Sequence, residues 1–138
     1  MSHESRRIAG ILLVVLPTVM IGGVSILAML MSDPAYAAND LRQDLWRAGH
    51  AHAGVLLVLS LVMLRYVDET RLPDAAKSFA RLAAPIAAIL MPAAFFLSVL
   101  HPRATEPNAF INLAFVGATI LAAGVILLGI GLLRARGA

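Results

Sequence analysis

The chain contains four long apolar stretches, and these constrain the fold more than any other feature of the sequence. They cover residues 8–31, 49–64, 82–100 and 110–133. The hydrocarbon core of a bilayer, about 30 Å thick, is crossed by about 20 consecutive apolar residues in a helix. Asn39 can also cap a helix that begins ahead of the second stretch. The sequence therefore predicts membrane-spanning helices over residues 8–31, 40–65, 79–100 and 109–134.

The composition agrees with an integral membrane protein. Hydrophobic residues make up 60% of the 138 residues and charged residues only 14%, and the mean hydropathy is +0.86. Little chain is left outside the four stretches, so we expect one all-α, four-helix transmembrane bundle spanning residues 1–138. A secretion signal ending near Ala35-Tyr36-Ala37 is the competing interpretation of the N-terminus. The first apolar stretch is longer than the roughly 7–15 residues of a signal core, which favours a membrane helix.

The positive charges are distributed unequally between the two ends of these helices. The ends that carry both termini and the second interhelical loop hold eight Arg and Lys residues, whereas the other ends hold only Arg42, Arg47 and Arg103. Positive residues favour the cytoplasmic side, so we expect both termini in the cytoplasm and a multi-pass location in the inner membrane. The basic pI near 10.2 then reflects topology and a lipid partner, and does not indicate nucleic acid.

The segment 46–54, WRAGHAHAG, contains the candidate site. Cysteine is absent, so histidine and carboxylate are the available metal ligands. Ionisable residues within a membrane are functional candidates, although at a helix end they can also be interfacial residues that reach water. His50 and His52 are two residues apart and differ by about 200° around a helix, so they cannot both bind one ion.

The small residues in this segment favour His52 over His50 as a haem ligand. The turn that His52 covers contains Ala48 and Gly49, which predicts a flat surface for a porphyrin. His50 is better suited to pairing with Asp44, water or a propionate. Arg42, Arg47 and Arg103 are at the depth of haem propionates or of lipid headgroups. The apolar wall that faces the iron would come from Met91, Phe95, Phe96, Phe110 and Phe115. The same residues could equally serve ordinary helix packing.

Several of these residues together resemble the styrene oxide isomerase family of small four-helix membrane proteins. The similarity lies in segment 46–54, in the end of the charged loop at Ala80-Arg81-Leu82, in Phe95-Phe96 and in Pro107-Asn108. The resemblance implies a haem b held between protomers of a homotrimer, with ferric iron acting as a Lewis acid that isomerises an epoxide to an aldehyde.

The resemblance also implies roles for particular residues. Aligning Ala-His-Ala-Gly with the family's Ala-His-Ser-Gly makes His52 the axial ligand, whereas aligning the tryptophans makes it His50. Asn108 would correspond to a polar residue near the haem, and the substrate would be small and lipophilic. The family's asparagine after the histidine and its tyrosine in the third helix have no counterparts here. We therefore expect haem binding with weak or absent turnover of styrene oxide.

Two other functions remain open at this point. The first is a small metal or proton carrier that uses His50, His52, His101 and Glu106. The absence of charged residues from the middle of the predicted helices argues against it. The second is an accessory subunit that packs on a larger membrane complex. Its contact would be the stripe of Gly117, Gly124 and Gly131, whose seven-residue spacing places them on one helix face.

Overall fold

The fold, taken from a computed structural model that describes residues 1–135, consists of helices joined by short loops. The helices are α1 (His3–Ser32), α2 (Pro34–Ala37), α3 (Asp40–Val67), α4 (Asp74–Ser98) and α5 (Asn112–Ala135), with a 3₁₀ turn at Ala109–Ile111. The four long elements are long and apolar enough to cross a membrane. This confirms the predicted all-α fold with four helices able to span a membrane.

The helix boundaries follow from local hydrogen bonds. Asn39 caps α3 as predicted, because its side chain accepts from the Arg42 N–H over 3.1 Å. Helix α1 begins earlier than expected, since the Ser2 hydroxyl accepts from the Ser5 N–H. The short α2 was not anticipated, and it is started by Asp33, which accepts from two backbone N–H groups. Helix α4 ends at Ser98, so His101 lies in the following loop.

The long helices pack in the spatial order α1, α3, α4, α5. The most extensive contacts join α4 to α5 and α3 to α4, while α1 packs mainly along α3. One buried cluster joins α3, α4 and α5 through Met63, Ala84 and Leu128, and a second joins α1 to α3 through Leu12 and Leu57. The outer helices therefore leave large apolar faces exposed, including Val14 on α1 and Phe115 on α5, as expected for contact with lipid.

The glycine stripe of α5 packs within the same chain, with Gly117 and Gly124 against α4 and Gly131 against the loop before α4. A Cβ atom added to Gly117 would lie 2.8 Å from Met91 Cγ, and one added to Gly124 would meet the Ala83 side chain. Gly131 is equally close to Leu72. The predicted close helix contact is confirmed. Because it is an internal contact, the stripe is not available to dock on a larger complex.

Candidate functional site

His52 projects from α3 toward α4 and is held in a defined orientation. Its Nδ1 lies 2.7 Å from the carbonyl oxygen of Ala48, and its ring is 5.0 Å from the ring of Phe95. A carbonyl can only accept a hydrogen bond, so the neutral imidazole carries its proton on Nδ1 and keeps a lone pair on Nε2. This is how histidine ligands of metals are commonly oriented.

The surface beside His52 is narrower than the sequence suggested. Gly49 is buried, and a Cβ atom there would lie 3.0 Å from Phe96 Cε2 and 3.2 Å from Phe95 Cβ. The α4 aromatic pair therefore covers the part of the turn that was expected to be open. The small surface that remains runs from the half-buried Ala48 to the exposed Ala51.

His50 faces α1 and not α4. A Cβ atom added to Gly23 would lie 2.7 Å from His50 Nε2, so the glycine is what admits the imidazole between α1 and α3. His50 and His52 thus meet different neighbouring helices, which confirms that they diverge around α3. Between them lies an exposed stripe of α3 that includes Ala51 and Val55.

A groove of about 390 Å³ lies between α1 and α3 beside His50. We call it the α1–α3 groove; its apolar part is mainly α1, and its polar part comes from α2 and α3. It is lined by Gly23, Ile26, Leu27, Leu30, Tyr36, Gln43, Arg47 and His50. Arg47 donates to the Gln43 carbonyl oxygen over 3.1 Å and to its side-chain oxygen over 3.2 Å. Gln43 in turn donates to the Ala37 carbonyl oxygen.

Arg42 lies inside the protein and not at the surface where propionates or lipid headgroups were expected to meet it. Its side chain is buried, with the guanidinium 4.8 Å from the ring of Trp46 and 5.7 Å from that of Tyr36. Its Nε donates to the carbonyl oxygen of Val99 over 3.1 Å. Stacking on two aromatic rings and binding the end of α4 hold Arg42 inside the protein, so it is not exposed to propionates or lipid headgroups.

Two buried polar groups in this aromatic cluster lack partners. Within residues 1–135, neither the Tyr36 hydroxyl nor the Trp46 indole N–H has a hydrogen-bond partner. Burial raises the pKa of Tyr36 against the opposing effect of the Arg47 and Arg42 charges, so the hydroxyl stays protonated at neutral pH. The exception is notable because buried polar side-chain groups are normally hydrogen-bonded.

Asn108 and Arg103 belong to the loop that follows α4. The Asn108 side chain accepts from the Phe110 N–H over 2.9 Å and donates to the Leu97 carbonyl oxygen over 3.0 Å. The oxygen and the nitrogen of this side-chain amide are both bound within the loop. To contact a substrate, Asn108 would have to give up these hydrogen bonds. Arg103 is exposed and lines a depression together with Asn39 and Pro102.

The five residues expected to form one apolar wall are separated within the chain. Phe95 and Phe96 pack at the α3–α4 interface beside Gly49, and Met91 packs against Gly117 of α5. Phe110, in the 3₁₀ turn, and Phe115, on α5, are exposed. A helix distributes consecutive apolar residues around its axis, so these residues meet different neighbours.

Metal binding by several side chains is not supported by the arrangement. Residues 1–135 contain no group of three or more His, Cys, Asp or Glu side chains that could hold a metal ion. His101 and Glu106 are exposed in the loop. A haem iron requires fewer protein ligands, because the porphyrin itself supplies the ring of nitrogens.

The site residues thus form two groups on α3. His52 lies with Ala48 and Phe95, whereas His50 and Arg47 lie together in the α1–α3 groove. The sequence did not indicate Tyr36 and Gln43 as groove residues. The helix-starting pair Asp33-Pro34 was the available signal for α2.

Comparisons of the chain with protein-family models, with curated proteins and with solved structures found no match.

Proposed function

We propose that the protein is a haem b-binding membrane protein in which His52 would bind the haem iron. The observation that carries this proposal is the 2.7 Å contact between His52 Nδ1 and the Ala48 carbonyl oxygen. It restricts rotation of the ring and leaves Nε2 as the nitrogen able to bind iron. The family resemblance of segment 46–54 allows the same residue, through the alignment of Ala-His-Ala-Gly, although aligning the tryptophans selects His50.

Only a narrow strip of α3 beside His52 is free to contact a flat cofactor. Ala48 and Ala51 have short side chains, and Phe95 packs on the imidazole. Ala51 and Val55 beside it are exposed, so one chain would cover only part of a haem. A homo-oligomer would enclose the remainder, and the resemblance favours a trimer.

The proposed reaction is isomerisation of a small lipophilic epoxide to a carbonyl compound. When bound, a ferric haem would supply a Lewis-acidic iron able to polarise an oxygen lone pair. The chain itself would hold the cofactor through His52, and Val55 and the other apolar residues nearby would exclude water. Donors that could orient a substrate are few, so we propose that turnover of styrene oxide is weak.

The arginines would contribute unequally to holding such a cofactor. Arg42 is buried in the aromatic cluster, and Arg47 lines the α1–α3 groove with His50. Arg103, exposed at the same end of the molecule, is the remaining candidate partner for a propionate. We also propose that both termini are cytoplasmic in the inner membrane, on the basis of the unequal distribution of Arg and Lys.

The proposal is tested by absorption spectroscopy of detergent-purified protein, oxidised and reduced. We expect a Soret band near 400 nm, a position typical of haem proteins in general. His52→Ala should abolish haem retention. His50→Ala is the matched control, because it removes the neighbouring imidazole on the other side of α3, and it should retain the band. Loss of the band in His50→Ala alone would move the ligand to His50, and a colourless wild-type protein after haem reconstitution would refute the proposal.

A further inference from the structure

We propose that the α1–α3 groove binds one single-chain amphiphile with a carboxylate headgroup, such as a long-chain fatty acid. The proposal does not depend on haem binding, because it uses the opposite side of α3 from His52. It rests on the chemistry of the groove wall, on the charge around it and on its volume.

The α2–α3 wall of the groove offers hydrogen-bond donors. Arg47 has a side chain 59% exposed, and its ion pair with Asp44 is long, at 3.4 Å. The Tyr36 hydroxyl is buried and has no partner within residues 1–135. A carboxylate accepts several hydrogen bonds through its two oxygens. It would pair with the exposed guanidinium and, once the buried hydroxyl turns toward the groove, with the tyrosine as well.

Asp33, Asp40 and Asp44 share this end of the molecule with Arg42, Arg47 and Arg103, but among these charged side chains only Arg47 lines the groove. Arg42 lies directly behind Tyr36, 5.7 Å from its ring. The ion pairs among the described residues are formed by Arg47, Arg65 and Arg81 and do not include Arg42. A buried cation without a carboxylate partner is costly, and aromatic stacking offsets only part of that cost. An anionic headgroup in the groove would offset the remaining cost of burying the Arg42 charge.

The α1 wall of the groove is apolar and open to the bilayer. Ile26, Leu27 and Leu30 of α1 form it, and the latter two are 57% and 44% exposed. Arg47 lies roughly 10 Å along α3 from Asp40, given the rise of about 1.5 Å per residue. The donors are therefore near the boundary of the hydrocarbon region, where an amphiphile can enter sideways with its chain in the membrane.

The size of the groove favours one alkyl chain. A volume of about 390 Å³ is at the lower end of the range for small-molecule sites. A phospholipid with two acyl chains and a phosphate headgroup would be too large for this space. We therefore commit to a fatty acid and treat an alkyl phosphate as the competing ligand in the test.

Trp46 provides the measurement, because it is the single tryptophan of the chain and its ring lies 5.5 Å from that of Tyr36. The protein, in phosphatidylcholine nanodiscs, is titrated with 2-bromohexadecanoate, whose bromine is next to the carboxylate and quenches nearby indole fluorescence. We expect saturable quenching with one site per chain. The methyl ester of the same acid should quench only weakly and without saturation.

Matched variants distinguish binding in the groove from general partitioning of the acid into the lipid. Arg47→Gln should weaken binding about tenfold, as expected for loss of one charge-assisted contact, whereas Arg103→Gln at the same end should change it less than about twofold. Leu30→Phe, which narrows the groove, should also weaken binding. Val24→Phe, exposed on α1 outside the groove, should not. His52→Ala should bind as the wild type does.

Three results would overturn the proposal. The first is equal quenching by the acid and its methyl ester, which indicates partitioning alone. The second is competition by hexadecyl phosphate without competition by hexadecanoate, which indicates a phosphate site. The third is equal loss of binding in Val24→Phe and Leu30→Phe. Unchanged tryptophan emission and helix content of each variant establish that it is folded, so that any loss of binding is local.

Discussion

Arg81 donates through Nη2 to Asp68 Oδ1 over 2.8 Å, and this pair joins α4 to the residue that ends α3. The same guanidinium donates to Glu4 over 3.0 Å and to the Ser5 hydroxyl over 3.0 Å. Three of the four long helices therefore meet at one buried arginine. Because its partners come from residues far apart in sequence, the cluster fixes how α1 approaches α3 and α4.

Removing one partner of this buried pair should destabilise the protein substantially. The Arg81 and Asp68 side chains are 8% and 16% exposed, so Asp68→Ala leaves the buried guanidinium with only the more exposed Glu4 carboxylate as an anionic partner. The cost should approach, without reaching, the roughly 3–5 kcal/mol of a buried charge left unpaired. Arg65→Ala breaks the exposed pair with Glu69 and should cost less than about 1 kcal/mol. Unfolding in mixed micelles by denaturing detergent compares the two variants. Equal effects would contradict the importance of the buried cluster.

Stability should fall at acid pH because of Asp68. Burial alone would raise the pKa of this carboxyl, but hydrogen bonds from the Ser2 N–H, Arg81, Ser5 and the Ser2 hydroxyl hold its pKa well below the usual range. Its contribution is therefore complete above the unfolded pKa of about 3.9 and is lost as the pH falls below that value. Asp68→Asn should be less stable at pH 7 and should lose less stability between pH 5 and 3. A parallel pH dependence of the two proteins would refute this.

The glycine stripe offers a test of helix packing. Gly124→Val should disrupt the α4–α5 contact, since the added atoms would collide with Ala83, and overpacking of this kind typically costs about 1–3 kcal/mol. Gly129 is on the same helix and has nothing within 4 Å of an added Cβ atom. Gly129→Val is therefore the control and should change thermal stability little. A larger loss for Gly129→Val would contradict the packing described.

Catalysis should be weak even in haem-loaded protein. Productive orientation of a substrate can supply several kcal/mol of barrier reduction, and the Asn108 amide is engaged in the loop. Formation of phenylacetaldehyde from styrene oxide should therefore be slow or undetectable. Robust turnover that persists in Asn108→Ala would show that iron in an apolar environment is sufficient.

The topology proposal has a direct readout. A reporter fused to the C-terminus that is active only in the cytoplasm should be active, because eight of the eleven Arg and Lys residues are on the side of the termini. A reporter inserted after Arg103 should behave oppositely. Activity of a periplasm-specific reporter at the C-terminus would reverse the orientation.

The sequence by itself determined the features that depend on neighbouring residues along one helix. The four spans follow from runs of apolar residues, the start of α3 from the Asn39 cap, and the α5 contact face from Gly117, Gly124 and Gly131. The divergence of His50 and His52 follows from the angle between residues two apart. Each of these properties depends on local geometry, so it could be predicted without knowing the rest of the fold.

Only the tertiary structure decided which neighbour each helix face meets. The sequence did not indicate that Phe96 covers Gly49, that Arg42 is buried between Tyr36 and Trp46, or that His50 rests against Gly23. In a membrane protein the lipid-facing and protein-facing surfaces are both apolar, so hydrophobicity does not separate them. The partners are set by the fit of side chains from distant segments, and that fit exists only once the helices are assembled.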